Sequence, residues 1–279
     1  MDLVVIGHVT MDRVAGASRP GGGAYYAALA AHRLGLEVGL LTSAGPEFPL
    51  GDLPAGLALV DVPSPYTTIF EHARGPAGRR LRLAGRAVDL ESSQLPSAWC
   101  RAPLALLAPV ANEVDPALAA SFLDASICAL PQGWMRQRGR DGVVEPQPWT
   151  DADDVLPHLQ MLVTSDEDVV AGPEIVLEWA QRVPLAALTL AGRGATLYVN
   201  GEPYHVAPDA AREVDETGAG DIFATALLIE YQRHADPWEA AAAAACAGAA
   251  AVEAAGVDGL LDRAGLDARV AAYRRRRGG

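Results

Sequence analysis

The stretch "GGAYYAALAAHRLGLEVGLLTSAG", residues 22–45, carries two kinds of pattern back to back. Its first part is alanine-rich and helical, closed by Gly35 just past the helix end, where glycine accepts the left-handed conformation. The second part, "EVGLLTSAG" (37–45), is a short apolar run of the kind buried in a sheet, and "LVVIG" (3–7) stands ahead of the helix as another. Strand, helix and strand at this spacing predict parallel pairing through a helical crossover. Working outward, "LALLAPV" (104–110), "SICAL" (126–130), "MLVTS" (161–165) and "LAALTL" (185–190) supply further central strands. Helical sequence separates several of them. One example is "DPALAASFLD" (115–124), with Asp115 as N-cap and Pro116 in the first helical position.

Two segments alternate instead. "YTTIFEHARGPAGRRLRLAG" (66–85) predicts a hairpin that turns at "RGPAG" and projects from the main sheet, and "GATLYVNGEPYHVAP" (194–208) predicts another, turning at Asn200-Gly201. Near the C-terminus, "ADPWEAAAAAACAGAAAVEAAG" (235–256) reads as a helix with Asp236 as N-cap, Pro237 at N1 and Glu239 at N3, ending at Gly256. "VVEPQPWTDADD" (143–154) reads as a surface loop and the closing "YRRRRGG" as a frayed, solvated end. With no fixed-period repeat and no linker, residues 1–279 form one domain.

Composition narrows the chemistry. At 279 residues, 50% of them hydrophobic, the chain can bury a large α/β core. A net charge of −13 argues against nucleic acid or an anionic membrane as partner. The N-terminus has no signal-peptide pattern, and the longest low-polarity run, "AAAAAACAGAAAV" (240–252), is too short to span a bilayer. Cys100, Cys128 and Cys246 are scattered and odd in number, which suits reduced thiols in a cytoplasmic protein. All 22 basic residues are arginine. The missing lysine excludes a Walker-A loop, Schiff-base chemistry and a protein-kinase site. Phosphate, if handled, falls to backbone amides, arginine and metal. The six histidines show no HxH or HExxH spacing.

"EVDETGAGDIFATALL" (213–228) is the stretch that bears on phosphate. A helix beginning at Asp221 aims its N–H groups and positive dipole end at the turn Gly218-Ala219-Gly220, where glycine permits close approach of an anion. Asp221 could then act as a general base. The same four residues are equally an ordinary helix start with a favourable acid.

The wider segment "VDETGAGDIFATALL" resembles the C-terminal signature of the PfkB, or ribokinase-like, family of small-molecule kinases. Asp215, Thr217, Gly218, Ala219, Gly220, Asp221 and Phe223 match; Glu216 stands where threonine or proline is usual. "GHVTMD" (7–12) resembles the end of the family's first strand, with Asp12 matching and Thr10 in place of asparagine. "GGGAYYAALAAHRLG" (21–35) resembles its glycine-led helix start, with Tyr26 at an asparagine position. "TLAGRGATLYV" (189–199) is similar to its Thr-x-Gly-x-x-Gly segment, and Ser165-x-x-Asp168 stands where it carries Asn-x-x-Glu.

The resemblance implies an α/β, ribokinase-like fold: a central, mainly parallel sheet flanked by helices, with a small reduced β-lid formed from about residues 10–20 and 64–86. It implies an ATP-dependent, Mg²⁺-requiring phosphotransferase acting on a hydroxyl of a sugar or cyclitol, an inositol-like ring being favoured over a typical ribose or fructose because of Tyr26. Asp221 becomes the base, Gly218, Ala219 and Gly220 the anion hole, and Asp12, Gly22, Gly23 and Tyr26 the acceptor site. Thr189, Gly192, Arg193, Gly194 and Thr217 fall on the nucleotide side, and Asp168 or Glu167 on the metal side. Trp134 and Arg136 in "LPQGWMR" (130–136) are added as candidates to line the sugar pocket. A nucleoside kinase of the same fold and a non-catalytic ligand-binding regulator are the alternative readings. Monomer and homodimer both remain open.

Overall fold

The computed structural model describes every residue except Ala15, Pro76, Ala77, Val170, Ala171, Gly278 and Gly279. The turn expected at "RGPAG" and the last two glycines of "YRRRRGG" therefore lie outside the described residues. The chain begins with β1 (Leu3–Ile6), β2 (Thr10–Val14), β3 (Ala17–Gly21), α1 (Gly23–Arg33), β4 (Val38–Ala44) and β5 (Ala58–Pro63). It continues through β6 (Thr68–Gly75), β7 (Gly78–Gly85), β8 (Leu104–Leu107), β9 (Ser126–Ala129), β10 (Arg136–Arg138), β11 (Val144–Pro146) and α2 (Ala152–Val155). The last part comprises β12 (Met161–Ser165), α3 (Pro173–Ala180), β13 (Leu185–Thr189), β14 (Ala195–Val199), β15 (Glu202–Val206), α4 (Ala219–His234), α5 (Pro237–Ala251) and α6 (Arg263–Arg277).

Nine strands form one sheet in the order β15-β14-β13-β12-β9-β8-β1-β4-β5. Pairing is parallel from β13 to β5, and the β14–β15 hairpin adds an antiparallel edge. A strand buried on both faces must be apolar at every position. In β1, Leu3 and Val5 enter one core while Val4 and Ile6 enter the other, and all four are fully buried. The first core lies under α1, α4, α5 and α6; the second lies under α3 and the tryptophans Trp134, Trp149 and Trp179. A separate four-stranded sheet, β3-β2-β6-β7, grows from the carboxyl end of β1, which runs through residues 7–9 straight into β2. Among the described residues no helix is long and apolar enough to cross a membrane.

Several local expectations change. Residues 116–121 close as a 3₁₀ helix, with Asp115 capping Ala117 N–H at 2.9 Å, because the segment is cut short by extended Phe122. The stretch 143–154 is more than a surface loop: β11 pairs with β10, and Trp149 stacks on Trp134 with ring centroids 5.3 Å apart. The helix capped by Asp236 ends at Ala251, five residues before Gly256. There the Val252 carbonyl instead accepts Val214 N–H (2.7 Å) and Asp215 N–H (3.2 Å), which ties the helix end to the segment leading into residues 218–221. The arginines of "YRRRRGG" belong to α6, where Arg274 pairs with Glu239 and Arg276 with Asp209. Strand β5 is an edge strand whose mixed, half-exposed sequence gave no apolar run to read.

Glu113, only 1% exposed, holds the carboxyl ends of β1 and β8 together. Its carboxylate accepts the N–H groups of His8 (3.0 Å), Val110 (3.0 Å) and Ala111 (2.6 Å). Replacing Glu113 with Ala leaves these buried donors unpaired, at about 1–3 kcal/mol for each. We expect Glu113→Ala to lower unfolding free energy by at least about 3 kcal/mol in a urea titration.

Candidate active site

Three chain segments meet beyond the carboxyl ends of the parallel strands, where open α/β sheets bind ligands. The first is β2. Asp12 lies almost wholly buried (5% exposed), accepts the Thr10 hydroxyl at 2.9 Å and faces His72 Nε2 of β6 at 3.9 Å.

The second is the start of α1. Gly22 and Gly23 open this helix, and Tyr26 follows one turn later, its N–H bonded to Gly22 C=O at 3.1 Å. The Tyr26 side chain is 1% exposed, and its buried hydroxyl has no hydrogen-bond partner among the described residues. Burial pushes this phenol's pKa far up, reinforced by the charge of Asp12, so it is neutral.

The third is the start of α4. The helix begins at Ala219, two residues earlier than expected, so Asp221 sits in its first turn. Gly218 caps it in a left-handed conformation (φ 81°) that favours glycine. A Cβ there would also lie 2.5 Å from the ring of Tyr26, so the turn packs flat against α1. A Cβ on Gly23 would lie 2.8 Å from Asp221 Oδ1, so these two segments likewise meet without room for a methyl group. Ala219 N–H is already donated to Glu216 C=O at 3.2 Å, which leaves the amides of Gly218 and Gly220 as the more accessible donors of the three.

Asp221 is the electrostatic centre of the group. Burial first, with the charges of Asp168 and Asp12 added and that of Arg136 opposing, raises its pKa to about 7. Asp168, beyond β12, accepts Gln132 Nε2 through both oxygens (3.1 Å each) and pairs with Arg136 at 3.3 Å.

One cavity of about 930 Å³ joins these residues. Its walls include Asp12, Gly22, Gly23, Tyr26, Glu167, Asp168, Thr189, Gly192, Gly194, Thr217, Gly218, Ala219, Gly220 and Asp221. Arg193 is not among them; its largely exposed side chain pairs with Asp166 on the surface. Arg136 lines the cavity, whereas Trp134 does not. The Trp134 indole, 1% exposed, donates to Val114 C=O at 2.8 Å inside the second core. Phe70, His72 and Leu81 from the four-stranded sheet, Gln132, and the run Pro208–Ala211 complete the walls. None of these carries a local motif, and only the hairpin pattern at 66–85 pointed toward the first three.

Similar known proteins are small-molecule kinases. The model of the pfkB family carbohydrate kinases matches residues 137–263. A cytidine kinase of Thermococcus kodakarensis is 26% identical, over 84% of this chain and 89% of that protein. Among solved structures, a pyrophosphate-dependent myo-inositol-1 kinase converted into a myo-inositol-3 kinase superposes with a TM-score of 0.80 at 21% identity, covering 97% of this chain and 99% of the other. Arabidopsis thaliana ribokinase, complexed with ribose and ATP, gives 0.74 at 18% identity, covering 96% and 98%.

The fold is that of the ribokinase-like kinases, and residues 137–263 match the pfkB family carbohydrate kinase model. The family-model match includes Asp168, the 218–220 turn and Asp221 but starts well after Asp12 and Tyr26. The half that carries Asp12 and Tyr26 is thus the more individual one.

Because Gly218 is pinned on the Tyr26 ring, Gly218→Ala should be far more damaging than Gly220→Ala, whose Cβ meets nothing within 4 Å. We expect Gly218→Ala to lower Tm by several degrees, equivalent to about 2 kcal/mol, with Gly220→Ala within about 0.5 kcal/mol of wild type.

Proposed function

We propose that this kinase transfers the terminal phosphoryl group of ATP to a hydroxyl of a polyhydroxylated ring, a sugar or cyclitol of the myo-inositol kind, with Asp221 as general base. The single observation that carries the reading is the meeting of Asp221, the 218–220 turn and Asp12 on one cavity. Asp12, acceptor-only when ionised, takes hydrogen bonds from ring hydroxyls. The Tyr26 hydroxyl, buried and without a protein partner, adds a neutral donor beside it. Asp221 takes the proton of the attacking hydroxyl, and its pKa of about 7 suits that task near neutral pH. The Gly218 and Gly220 amides and the positive end of α4 offset charge on the phosphoryl group. In a chain without lysine, the cavity guanidinium of Arg136 is the side-chain cation nearest in role to a phosphate-binding lysine. The four-stranded sheet acts as the lid, contributing Phe70, His72 and Leu81 over the acceptor.

The donor end of the cavity supports a nucleotide. Its lining there includes Thr189, Gly192, Gly194, residues 208–211, Ala245, Gly248, Ala249 and Val252, mainly small and apolar residues of the kind that accommodate a nucleotide. Among the described residues no cluster of three His, Cys, Asp or Glu side chains is arranged to hold a metal. Magnesium asks for less: one or two carboxylates, waters and the donor's own phosphates. Asp168 and Glu167 fit that limited role, Asp168 through water because Gln132 and Arg136 already engage it. When bound, the ion would neutralise donor phosphate charge.

A second reading of the acceptor, a nucleoside, is favoured by the relationship to a cytidine kinase, and a second donor, pyrophosphate, by the likeness to a pyrophosphate-dependent kinase. Turnover assays crossing ATP and pyrophosphate with myo-inositol, hexoses, pentoses and nucleosides decide both. We expect ATP with a cyclitol or sugar to give the highest kcat/KM; a nucleoside or pyrophosphate optimum would replace the corresponding half of the proposal.

Asp221→Asn should reduce kcat by at least about 10³-fold while leaving donor binding measurable. The wild-type rate should rise with pH through about 7, as Asp221 loses its proton. Stability runs the other way. A carboxyl whose folded pKa lies above its unfolded value near 4 favours the native state at low pH, and that contribution is lost between pH 4 and 7. The Tm advantage of Asp221→Asn should therefore grow over that interval and level off above it.

A further inference from the structure

Asp12 and Arg19 are directly opposed across the β2–β3 hairpin. Asp12 lines the cavity, and Arg19 on the same face of the pair extends to Asp215 and Thr217. Both guanidinium arms engage the two Asp215 oxygens, the longer bond at 3.2 Å, and Nη2 also donates to the Thr217 hydroxyl at 3.0 Å. Asp215 in turn accepts Thr217 N–H at 3.1 Å and Gly256 N–H at 3.3 Å. Although burial opposes ionisation, the bonds from Arg19 and Thr217 hold the Asp215 carboxyl well below the usual carboxylate range. The pair is largely shielded, with side-chain exposures of 34% and 14%. It is bidentate, and the added bond to Thr217 ends one residue before Gly218. This is unlike the exposed Arg13–Glu71–Arg82 row on the outer face of the same sheet, where ion pairs contribute little.

Resting on the phosphotransferase reading, we infer that Arg19 is a positioning residue: it docks the β2–β3 hairpin on the segment that forms the phosphate turn, and so sets the separation between the acceptor anchor Asp12 and the amides at 218–220. Arg19 itself does not line the cavity; it reaches the wall only through Thr217. The hairpin is only two five-residue strands, held on its other side by parallel pairing of β2 with β6. β3 leads through Gly21 and Gly22 into α1, and among the described residues Arg19 is the one β3 side chain that hydrogen-bonds another segment. A shift of the acceptor by about 1 Å relative to the phosphoryl group is enough to cost about 100-fold in rate. The rigid, planar fork of arginine suits the task better than an ammonium group would.

Hydrogen exchange and steady-state kinetics on Arg19→Gln and Arg19→Lys test this. In the ligand-free protein we expect Arg19→Gln to speed amide exchange in residues 10–21 and 213–217 about tenfold, with β1 and β4 unchanged. Its kcat should fall about 100-fold while acceptor KM changes less than about threefold, and Arg19→Lys should recover part of kcat. Unchanged exchange in the hairpin, or equal acceleration throughout the main sheet, would overturn the inference, as would a kcat within about twofold of wild type. If wild-type protein turns over no acceptor with either donor, the phosphotransferase reading fails, and the exchange experiment still decides whether Arg19 couples the two segments.

Discussion

The contact between the Gly218 backbone and the face of the Tyr26 ring is the constraint on which the site depends. Residues 192 positions apart come so close that even a methyl group on the glycine would sit 2.5 Å from the ring. The contact exists because the glycine adopts a left-handed conformation at the head of α4, and because α1 starts immediately after the hairpin that carries Asp12. Both helices then pack into the same core, beneath the same strands, with their N-terminal ends converging on one cavity. Asp12 with α1 and the 218–221 turn, from the two ends of the chain, are thereby held together by packing with no room for a methyl group.

Electrostatics follow from this convergence. Asp221 is half-buried beside two further carboxylates, Asp12 and Asp168, with Arg136 as the opposing charge. A carboxylate in such company holds its proton near neutrality, which is costly for stability and useful for accepting a proton from an alcohol. Around it the other acids are satisfied: Asp168 by Gln132 and Arg136, Asp215 by Arg19 and Thr217, Asp209 by Arg269 and Arg276. Arginine serves all three, so the lysine-free composition is visible in the structure as a set of directional, forked pairs.

Much of the fold was legible because buried parallel strands and capped helices leave strong local signals. The apolar runs at 3–7, 37–45 and 161–165 and the Asn200-Gly201 turn all correspond to elements found in the structure. Edge strand β5 and the core position of Trp149 were not legible, since each depends on a partner distant in sequence. The site divides in the same way. The glycine-acid turn at 218–221 announces itself through backbone requirements that few other residues meet. Gln132, His72 and Arg19 act through side chains brought in by tertiary packing; the patterns around them marked their segments but not these residues. Trp134 shows the converse: an aromatic residue after a strand end suggests a pocket wall, yet its indole N–H found a buried carbonyl and its ring a stacking partner.

The central claim is that a single carboxyl at the head of α4 stays protonated until near neutral pH. The most direct measurement is the infrared difference spectrum between wild type and Asp221→Asn, recorded as a pH titration and read at the protonated-carboxyl band. The account predicts a band that is lost with a midpoint at about pH 7 and is absent from the variant. A midpoint near 4, the ordinary value for a solvated aspartate, would contradict it.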